Sequence, residues 1–434
     1  MESGASRTCR LESKLIYVMA TDVSLKVRVV ITSIDQSLSS LQNFIFLIIT
    51  AREVSATTFG AFTLTVSIIT LVLGLARAAI SEPFMLLNSL GTTRHRNSLR
   101  ASLTTLTCLY TVLVGIVLVV CSVLVPPILR PLFLTAAIIL PGLLLQDLSR
   151  WLAVTYKQPL LLLGIDGLWI AIWVLLLATL RAHTAVDSLL MWGGSASFVG
   201  FILVALRRSS FSGIRKSVTY WRDVLRRSAA SLVGEYLAFT IPGQILTFLV
   251  TGLIGLAATA GLRGALALFG PVGMLQNAAR IAIVPEVIRA GGGMSKRGTQ
   301  LNRAAAAVQI LIAGVGLIVL VSLPGRYGHE LLGASWDAAR VIIIPVGIGQ
   351  IFAACDQYPL VRLRADGYLQ QIARARYVVS AEALLTVTIG ATTRSLLVTA
   401  WCLAFGSLFG WIYYTFVDHH NRRPIVGEAR ATSA

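Results

Sequence analysis

The chain has 434 residues, of which 56% are hydrophobic and only 13% are charged, and its mean hydropathy is +0.78. Many separate apolar runs approach the roughly 20 residues that cross the hydrocarbon core of a bilayer. This composition excludes a set of ordinary soluble domains, which the length alone would suggest, and indicates a polytopic membrane protein. The net charge of +18 does not indicate nucleic-acid binding, because the basic residues lie between the apolar runs.

Twelve apolar segments are predicted to cross the membrane as helices. They cover residues 29–50, 60–80, 101–125, 131–149, 160–180, 186–206, 228–250, 259–285, 304–323, 336–356, 377–392 and 396–417. The predicted organisation is an N-terminal segment (1–28), an N-lobe of six helices (29–206), a basic connector (207–227), a C-lobe of six helices (228–417) and a tail (418–434). The fold class is therefore an all-α polytopic membrane protein.

The distribution of basic residues predicts the orientation of these helices. Loops on one side, with both ends of the chain, carry 28 of the 37 Lys and Arg residues, whereas the loops on the other side carry 5. Because basic loops stay in the cytoplasm, both termini and the connector are predicted to be cytoplasmic, in a multi-pass protein of the cell membrane. The connector's apolar spacing predicts a short amphipathic helix at the membrane surface, as a tether or as a site for anionic lipid.

Two short matches indicate an internal duplication of about 200 residues. Placing Arg77 on Arg280, an offset of 203, also aligns three further identical small or apolar pairs, but Glu82-Pro83 then meets Pro285-Glu286 in swapped order. A second match at offset 204 aligns Pro141 with Pro345 and Gln146 with Gln350. Six helices in each copy make the copies parallel repeats.

Charged residues within apolar helices are costly and are therefore candidates for a transport pathway. The sequence places ten in or at the ends of predicted spans: Asp35, Arg77, Asp147, Asp166, Glu235, Arg263, Arg280, Arg340, Asp356 and Glu382. Long side chains near a span end, such as Arg77 and Arg280, can instead extend to the interface. Asp147 and Arg150, three residues apart on one helix, are placed to pair with each other.

Asp35 and Glu235 lie early in the first span of each copy, where an acid is too short to reach far toward water. The amides Gln42 and Gln244 lie deeper, and Asn43, Gln276 and Asn277 are further amides of this group. They either line a hydrated cavity or hydrogen-bond neighbouring helices. Four prolines within spans, at positions 141, 242, 271 and 345, either bend their helices or are simply tolerated there.

Motifs of enzymatic chemistry are missing from the sequence. There is no P-loop, GxSxG elbow, HExxH or zinc-ligand spacing, and the five cysteines form no disulfide or metal pattern. We therefore expect a transporter rather than an enzyme, with no cofactor and no metal site. Its energy source would be a gradient of H+, Na+ or substrate, or the membrane potential.

Three stretches resemble the Wzx-type polysaccharide flippases of the multidrug/oligosaccharidyl-lipid/polysaccharide (MOP) exporter superfamily, particularly their actinobacterial members. They are TTFGAFTLTVSIITLVLGLARAAISEP, LLLQDLSRWLAVTYKQPLLLLGIDGLWI and GLRGALALFGPVGMLQNAARIAIVPEVIR. The resemblance implies a V-shaped bundle of two six-helix lobes that flips a polyprenyl-pyrophosphate-linked oligosaccharide outward by alternating access, for assembly of cell-envelope polysaccharide. Membrane lipids and a glycan polymerase or ligase are the implied further partners.

Under this resemblance, the candidate substrate-binding residues are Arg77 and Arg280 for the pyrophosphate, Arg263 nearer the outer face, and the amides Gln42, Gln244 and Asn277. Asp35 and Glu235 would be counter-ions or carry a coupling proton. The alternatives are a MATE-like multidrug or cation antiporter, which would favour an acidic cavity, and a membrane glycan polymerase or glycosyltransferase. The short outer loops disfavour the enzymes, and a major-facilitator transporter is disfavoured because NSLGTTRHRNSLR lacks the signature of that family.

Overall fold

A computed structural model describes residues 25–89, 96–180, 183–206 and 211–421. The described residues form helices and contain no strand, which confirms the all-α fold class. The predicted N-terminal segment and tail lie largely outside the described residues, so their side of the membrane stays a prediction.

The described residues up to position 249 contain nine α-helices. They are α1 (Leu25–Glu53), α2 (Ala56–Ala76), α3 (Glu82–Ser89), α4 (Arg96–Leu124), α5 (Arg130–Thr155), α6 (Pro159–Thr179), α7 (Ala185–Leu206), α8 (Ile214–Tyr220) and α9 (Arg226–Leu249). Two π-helical turns interrupt this series. The Arg77 turn (Arg77–Ser81) joins α2 to α3, and the Trp221 turn (Trp221–Leu225) joins α8 to α9.

Eight further α-helices follow. They are α10 (Leu256–Leu268), α11 (Gly270–Arg289), α12 (Lys296–Val321), α13 (Gly325–Leu332), α14 (Trp336–Cys355), α15 (Gln357–Ala365), α16 (Leu369–Thr392) and α17 (Leu396–His420). The uncharged run between α9 and α10 contains a third π-helical turn, Val250–Ile254. This turn ends at Gly255, whose φ of 125° suits glycine and separates the two helices.

The chain divides into two compact units by the packing of its backbone. The first comprises the chain up to Val54 together with Thr65–Leu237, and the second comprises Ser55–Leu64 together with the chain from Ala238 onward. The predicted N-lobe and C-lobe are the two copies of an internal duplication. A division by packing does not test that duplication.

Eight helical segments of the described chain are long and apolar enough to cross a membrane, or ten if each of two bent helix pairs is one span. These segments confirm a multi-pass membrane protein. The two predicted spans outside this set fall on α1 and α16, helices of 29 and 24 residues that carry several polar and charged side chains. Their polarity lowers the mean hydropathy, so the predicted number of twelve depends on these two helices.

Two of the four prolines within predicted spans lie at bends. The chain turns by 45° between α10 and the start of α11, next to Pro271, and by 53° between 228–238 and 243–254, where Pro242 lies. The predicted eighth span, 259–285, therefore comprises parts of two helices that meet at a bend. In contrast, Pro141 and Pro345 lie inside helices that continue past them. Proline is tolerated in these two helices, as membrane helices commonly allow.

Small residues let α5 and α7 approach each other closely in the first unit. A Cβ atom on Gly200 would collide with the carbonyl oxygen of Gly142, and one on Gly142 would collide with the backbone of Ser197. The Ser197 hydroxyl donates a hydrogen bond to the carbonyl of Ile139. Close backbone contact between small residues is a usual way of packing membrane helices. It fixes α5, which carries Gln146, Asp147 and Arg150.

We expect Gly200→Ala to destabilise the protein by about 1–3 kcal/mol, because the added methyl group forces α5 and α7 apart. Gly194→Ala is the matched control on the same helix, since no atom lies within 4 Å of its Cβ position. Alanine favours helix at both positions, so the control should be neutral or slightly stabilising. Thermal unfolding in detergent measures both variants, and equal melting temperatures would contradict the packing described here.

Candidate functional site

Helices α1, α5 and α6 bring four charged side chains together in the first unit. Asp35 lies on α1, Asp147 and Arg150 lie on α5, and Asp166 lies on α6. All four lie within or at the ends of apolar helices, where a charge requires a partner or water. The Arg77 turn adds a second guanidinium to this group.

Arg150 is shared between two buried carboxylates. Its Nη2 atom lies 2.8 Å from Oδ2 of Asp166 and 3.4 Å from Oδ2 of Asp35. Both aspartate side chains are fully buried, whereas 14% of the Arg150 side chain is exposed. Asp166 also accepts hydrogen bonds from the Ser39 hydroxyl, at 3.2 Å, and from the Gln146 amide, at 3.3 Å. The three helices are thus tied to one guanidinium.

This triad of Asp35, Arg150 and Asp166 contains one acid more than its arginine can neutralise. With both acids ionised it carries a net charge of −1 in an environment of low dielectric, which is unfavourable. Oδ1 of Asp35 is also buried without a hydrogen-bond partner among the described residues. The triad therefore contains more buried negative charge and more hydrogen-bond acceptors than its single guanidinium satisfies.

Arg77 forms a second ion pair, with Asp147. Its Nε atom donates to Oδ1 and Oδ2 of Asp147 at 3.1 and 2.9 Å, and its Nη2 donates to Oδ1 at 2.6 Å. The Arg77 side chain is 35% exposed and that of Asp147 only 6%. The expected pairing of Asp147 with Arg150 is wrong, because each of the two pairs with a residue outside α5. Neighbouring helices supply the partners, which spacing along one helix does not reveal.

A cavity of about 300 Å³ opens beside these two ion pairs, within the first unit. Its lining combines both arginines and one aspartate with polar, aromatic and apolar side chains: Thr32, Gln36, Arg77, Asp147, Arg150, Trp151, Val154 and Leu162. The volume is at the low end for small-molecule sites and suits a charged head group rather than a whole lipid. Its chemistry allows an incoming anion to compete with carboxylates for two guanidinium groups.

The remaining predicted site residues take different positions. Gln42 is 2% exposed, and neither its amide oxygen nor its nitrogen has a partner among the described residues. Glu235 is exposed on α9, whereas Asp35 lies on α1. Gln244 and Arg263 are half-buried, on α9 and α10. The backbones of Asn277 and Arg280 lie on α11, but their side chains are outside the described residues.

Among the further amides, Asn43 does not line the cavity; its Oδ1 accepts a hydrogen bond of 3.2 Å from the Trp192 indole. Arg150 was not predicted as a site residue, because the fourth apolar run ends at residue 149 whereas α5 continues to Thr155. The signal that could have found it is the spacing of Gln146, Asp147 and Arg150, which places them on one face of a helix. No group of three or more acidic, His or Cys side chains suited to a metal ion occurs in the described part of the chain.

Replacing Arg150 tests the buried triad. We expect Arg150→Gln to lower the free energy of unfolding by about 3–5 kcal/mol, because it leaves two buried carboxylates without a cation. Adding Asp35→Asn and Asp166→Asn should restore most of this loss. Arg222→Gln, which removes an exposed guanidinium paired with Asp223, is the control and should change little. Denaturation of the purified variants measures these free energies of unfolding. Equal decreases for the Arg150 and Arg222 variants would contradict the triad's role.

Comparison with known proteins shows similarity in structure alone. No family model matches the sequence, and no curated protein matches it significantly. The structure resembles the lipid II flippase MurJ in an inward closed conformation, with a TM-score of 0.68 and 12% identity over 88% of this chain and 86% of that one. It also resembles an inward-facing multidrug resistance MATE family transporter of the MOP superfamily, with a TM-score of 0.64 and 11% identity over 88% and 94%.

A third similar structure is a MOP superfamily transporter from Pyrococcus furiosus, with a TM-score of 0.56 and 13% identity over 91% of this chain and 94% of that one. It is described as having a binding pocket of reversed polarity, which suggests a different function. The structural similarity establishes the fold. Sequence identities this low do not establish a family, so the Wzx resemblance stays an expectation. The chain is a multi-pass, all-helical membrane protein with the fold of the MOP superfamily structures.

Proposed function

We propose that the chain is an alternating-access flippase that moves a polyprenyl-pyrophosphate-linked oligosaccharide from the cytoplasmic to the outer leaflet of the cell membrane. The observation that carries this proposal is the pair of arginines, Arg77 and Arg150, that line one cavity between apolar helices. The structural likeness to a lipid II flippase supports it. The Wzx resemblance supports the same class of cargo and a role in assembly of cell-envelope polysaccharide.

The cavity's chemistry suits the charged end of such a lipid. Guanidinium groups bind phosphate oxygens through two parallel hydrogen bonds, more specifically than an ammonium group does. Arg77 already makes contacts of this type with Asp147, so its side chain is oriented for an anion. Gln36, Thr32 and the Trp151 ring supply hydrogen bonds and an aromatic face for the first sugar.

The other predicted residues keep roles within this proposal. Arg280 and Arg263 are candidates for contacting the pyrophosphate later in transport, and Gln42, Gln244 and Asn277 are candidates for lining the path. Asp35 and Glu235 are proposed counter-ions or carriers of a coupling proton. At Asp35 the geometry favours H+ over Na+, because the Arg150 guanidinium already occupies the cation's position beside both carboxylates.

A MATE-like antiporter for cationic drugs is the second candidate. Three aspartates, Asp35, Asp147 and Asp166, face two arginines in this region, so a net negative charge is available for a cation. The likeness to MATE structures supports it equally. A membrane glycan polymerase or glycosyltransferase is a weaker alternative that no observation in the structure favours. A polymerase or ligase is instead a proposed partner that would receive the flipped glycan.

Depletion of the protein in its host separates the two transport functions. We expect completed lipid-linked glycan to accumulate facing the cytoplasm, because its polar head group cannot cross the bilayer unaided. The measurement is the amount of glycan lipid accessible to a membrane-impermeant reagent before and after depletion. Unchanged glycan lipids together with higher sensitivity to cationic drugs would support the antiporter and reject the flippase.

Substitution of the arginines tests their proposed contact with pyrophosphate. We expect Arg77→Gln with Arg280→Gln to lower glycan-lipid translocation by roughly tenfold or more, the size expected when charge-assisted hydrogen bonds are lost. Because Arg77→Gln also leaves Asp147 unpaired, Asp147→Asn is added as a matched background. Complementation of the depleted strain gives the readout, and normal translocation by the substituted protein would reject the assignment.

A further inference from the structure

The helix that carries Arg77 is interrupted for a reason visible in its sequence. Within an α-helix, the carbonyl of Ala79 would accept a hydrogen bond from the amide of residue 83. Residue 83 is proline, which has no N–H group and whose ring collides with the carbonyl four residues earlier. The helix widens at this point, and the amide of Glu82 bonds to the carbonyl of Arg77, five residues back. Single π-helical turns of this kind occur frequently at functional sites.

The connector supplies the donor that Pro83 lacks. The indole Nε1–H of Trp221 donates a hydrogen bond of 3.0 Å to the carbonyl oxygen of Ala79. The contact is held by a cluster of buried apolar residues from four parts of the first unit: Ile80, Phe84, Leu103, Leu106, Leu148, Leu152 and Leu225. We call this set the connector cluster. Trp221 packs against its edge, and Leu225, at the end of the Trp221 turn, is fully buried in it.

Under the predicted internal repeat, this turn is a feature of the first copy. Arg77 and Pro83 are six residues apart, whereas Arg280 and Pro285 are five apart. In the second copy, α11 runs from Gly270 to Arg289 as an α-helix with Pro285 inside it. The first copy therefore holds one additional residue between its arginine and its proline, and the π-helical turn accommodates that residue.

We propose that Trp221 is a positioning residue that holds the Arg77 turn in its π-helical form and thereby holds Arg77 against Asp147. Arg77 is the first residue of the turn, so a return to α-helical geometry would rotate its side chain relative to α5. The connector is thereby coupled to the ion pair beside the cavity. The positioning role stands on this geometry alone; only what Arg77 binds rests on the proposed function.

A double-mutant cycle on the full chain tests this role by hydrogen–deuterium exchange of peptides that cover residues 77–84. Trp221→Phe keeps an aromatic ring at the cluster but removes the donor, and we expect exchange there to become roughly tenfold faster. Pro83→Ala restores an amide donor for the Ala79 carbonyl. In the Pro83→Ala background, Trp221→Phe should therefore have little effect, a dependence that a purely packing role would not produce.

Trp169→Phe is the matched control. It also removes an indole hydrogen bond of 3.0 Å to a backbone carbonyl in the first unit, that of Trp192, but at a helix without a π-helical turn. It should leave exchange in residues 77–84 unchanged. Equal effects of Trp221→Phe in both backgrounds, or faster exchange of this segment in the Trp169 variant, would overturn the positioning role. Because exchange needs no substrate, this result is independent of the depletion experiment, whose failure would reject only the proposed function.

Discussion

One guanidinium, that of Arg150, offsets negative charge contributed by two other helices, and the first unit is organised around it. Asp35 and Asp166 are fully buried, so neither can reach water, and both lie within 3.4 Å of the same nitrogen atom. A buried ion pair adds little net stability when it is intact, but the loss of one partner is very costly. Helices α1, α5 and α6 are therefore constrained to stay together as long as the acids are charged. The close glycine contacts between α5 and α7 extend that constraint to a fourth helix.

Prolines explain more of this fold than their usual description as kinks suggests. At Pro271 the chain bends, at Pro141 and Pro345 the helix continues, and at Pro83 it widens into a π-helical turn. A proline inside a helix leaves the carbonyl four residues earlier without its usual amide donor. For Pro83 the donor is the Trp221 indole from the connector. The π-helical turn next to Pro83 is thus stabilised by a residue that lies more than a hundred positions later in the chain.

Hydropathy was sufficient to predict the fold class, because long apolar runs in a bilayer can only be helices or a closed barrel. Hydropathy did not identify Arg150 as a site residue. The apolar run ends before this charged residue, whereas the helix continues past it for at least another turn. The pairing of Asp147 with Arg150 was wrong for a related reason. Spacing along one helix reports only which residues share a face, and here the partners Arg77, Asp35 and Asp166 come from other helices. Such contacts between distant segments are set by packing, which one sequence does not display.

The two arginines beside the cavity also differ in exposure, which under the proposed function would set the order in which they meet an anion. Arg77 is the more exposed arginine, at 35% against 14% for Arg150, so an arriving anion would meet it first. Once Arg77 turns to the anion, Asp147 is left buried without its cation. Among the described charged residues of this region, only Arg150, one helical turn away on α5, could then replace that cation. Moving Arg150 would in turn leave Asp35 and Asp166 without theirs. Under the proposed function, anion binding at Arg77 would therefore leave buried negative charge uncompensated by either route, and this is the charge that a coupling ion would have to offset.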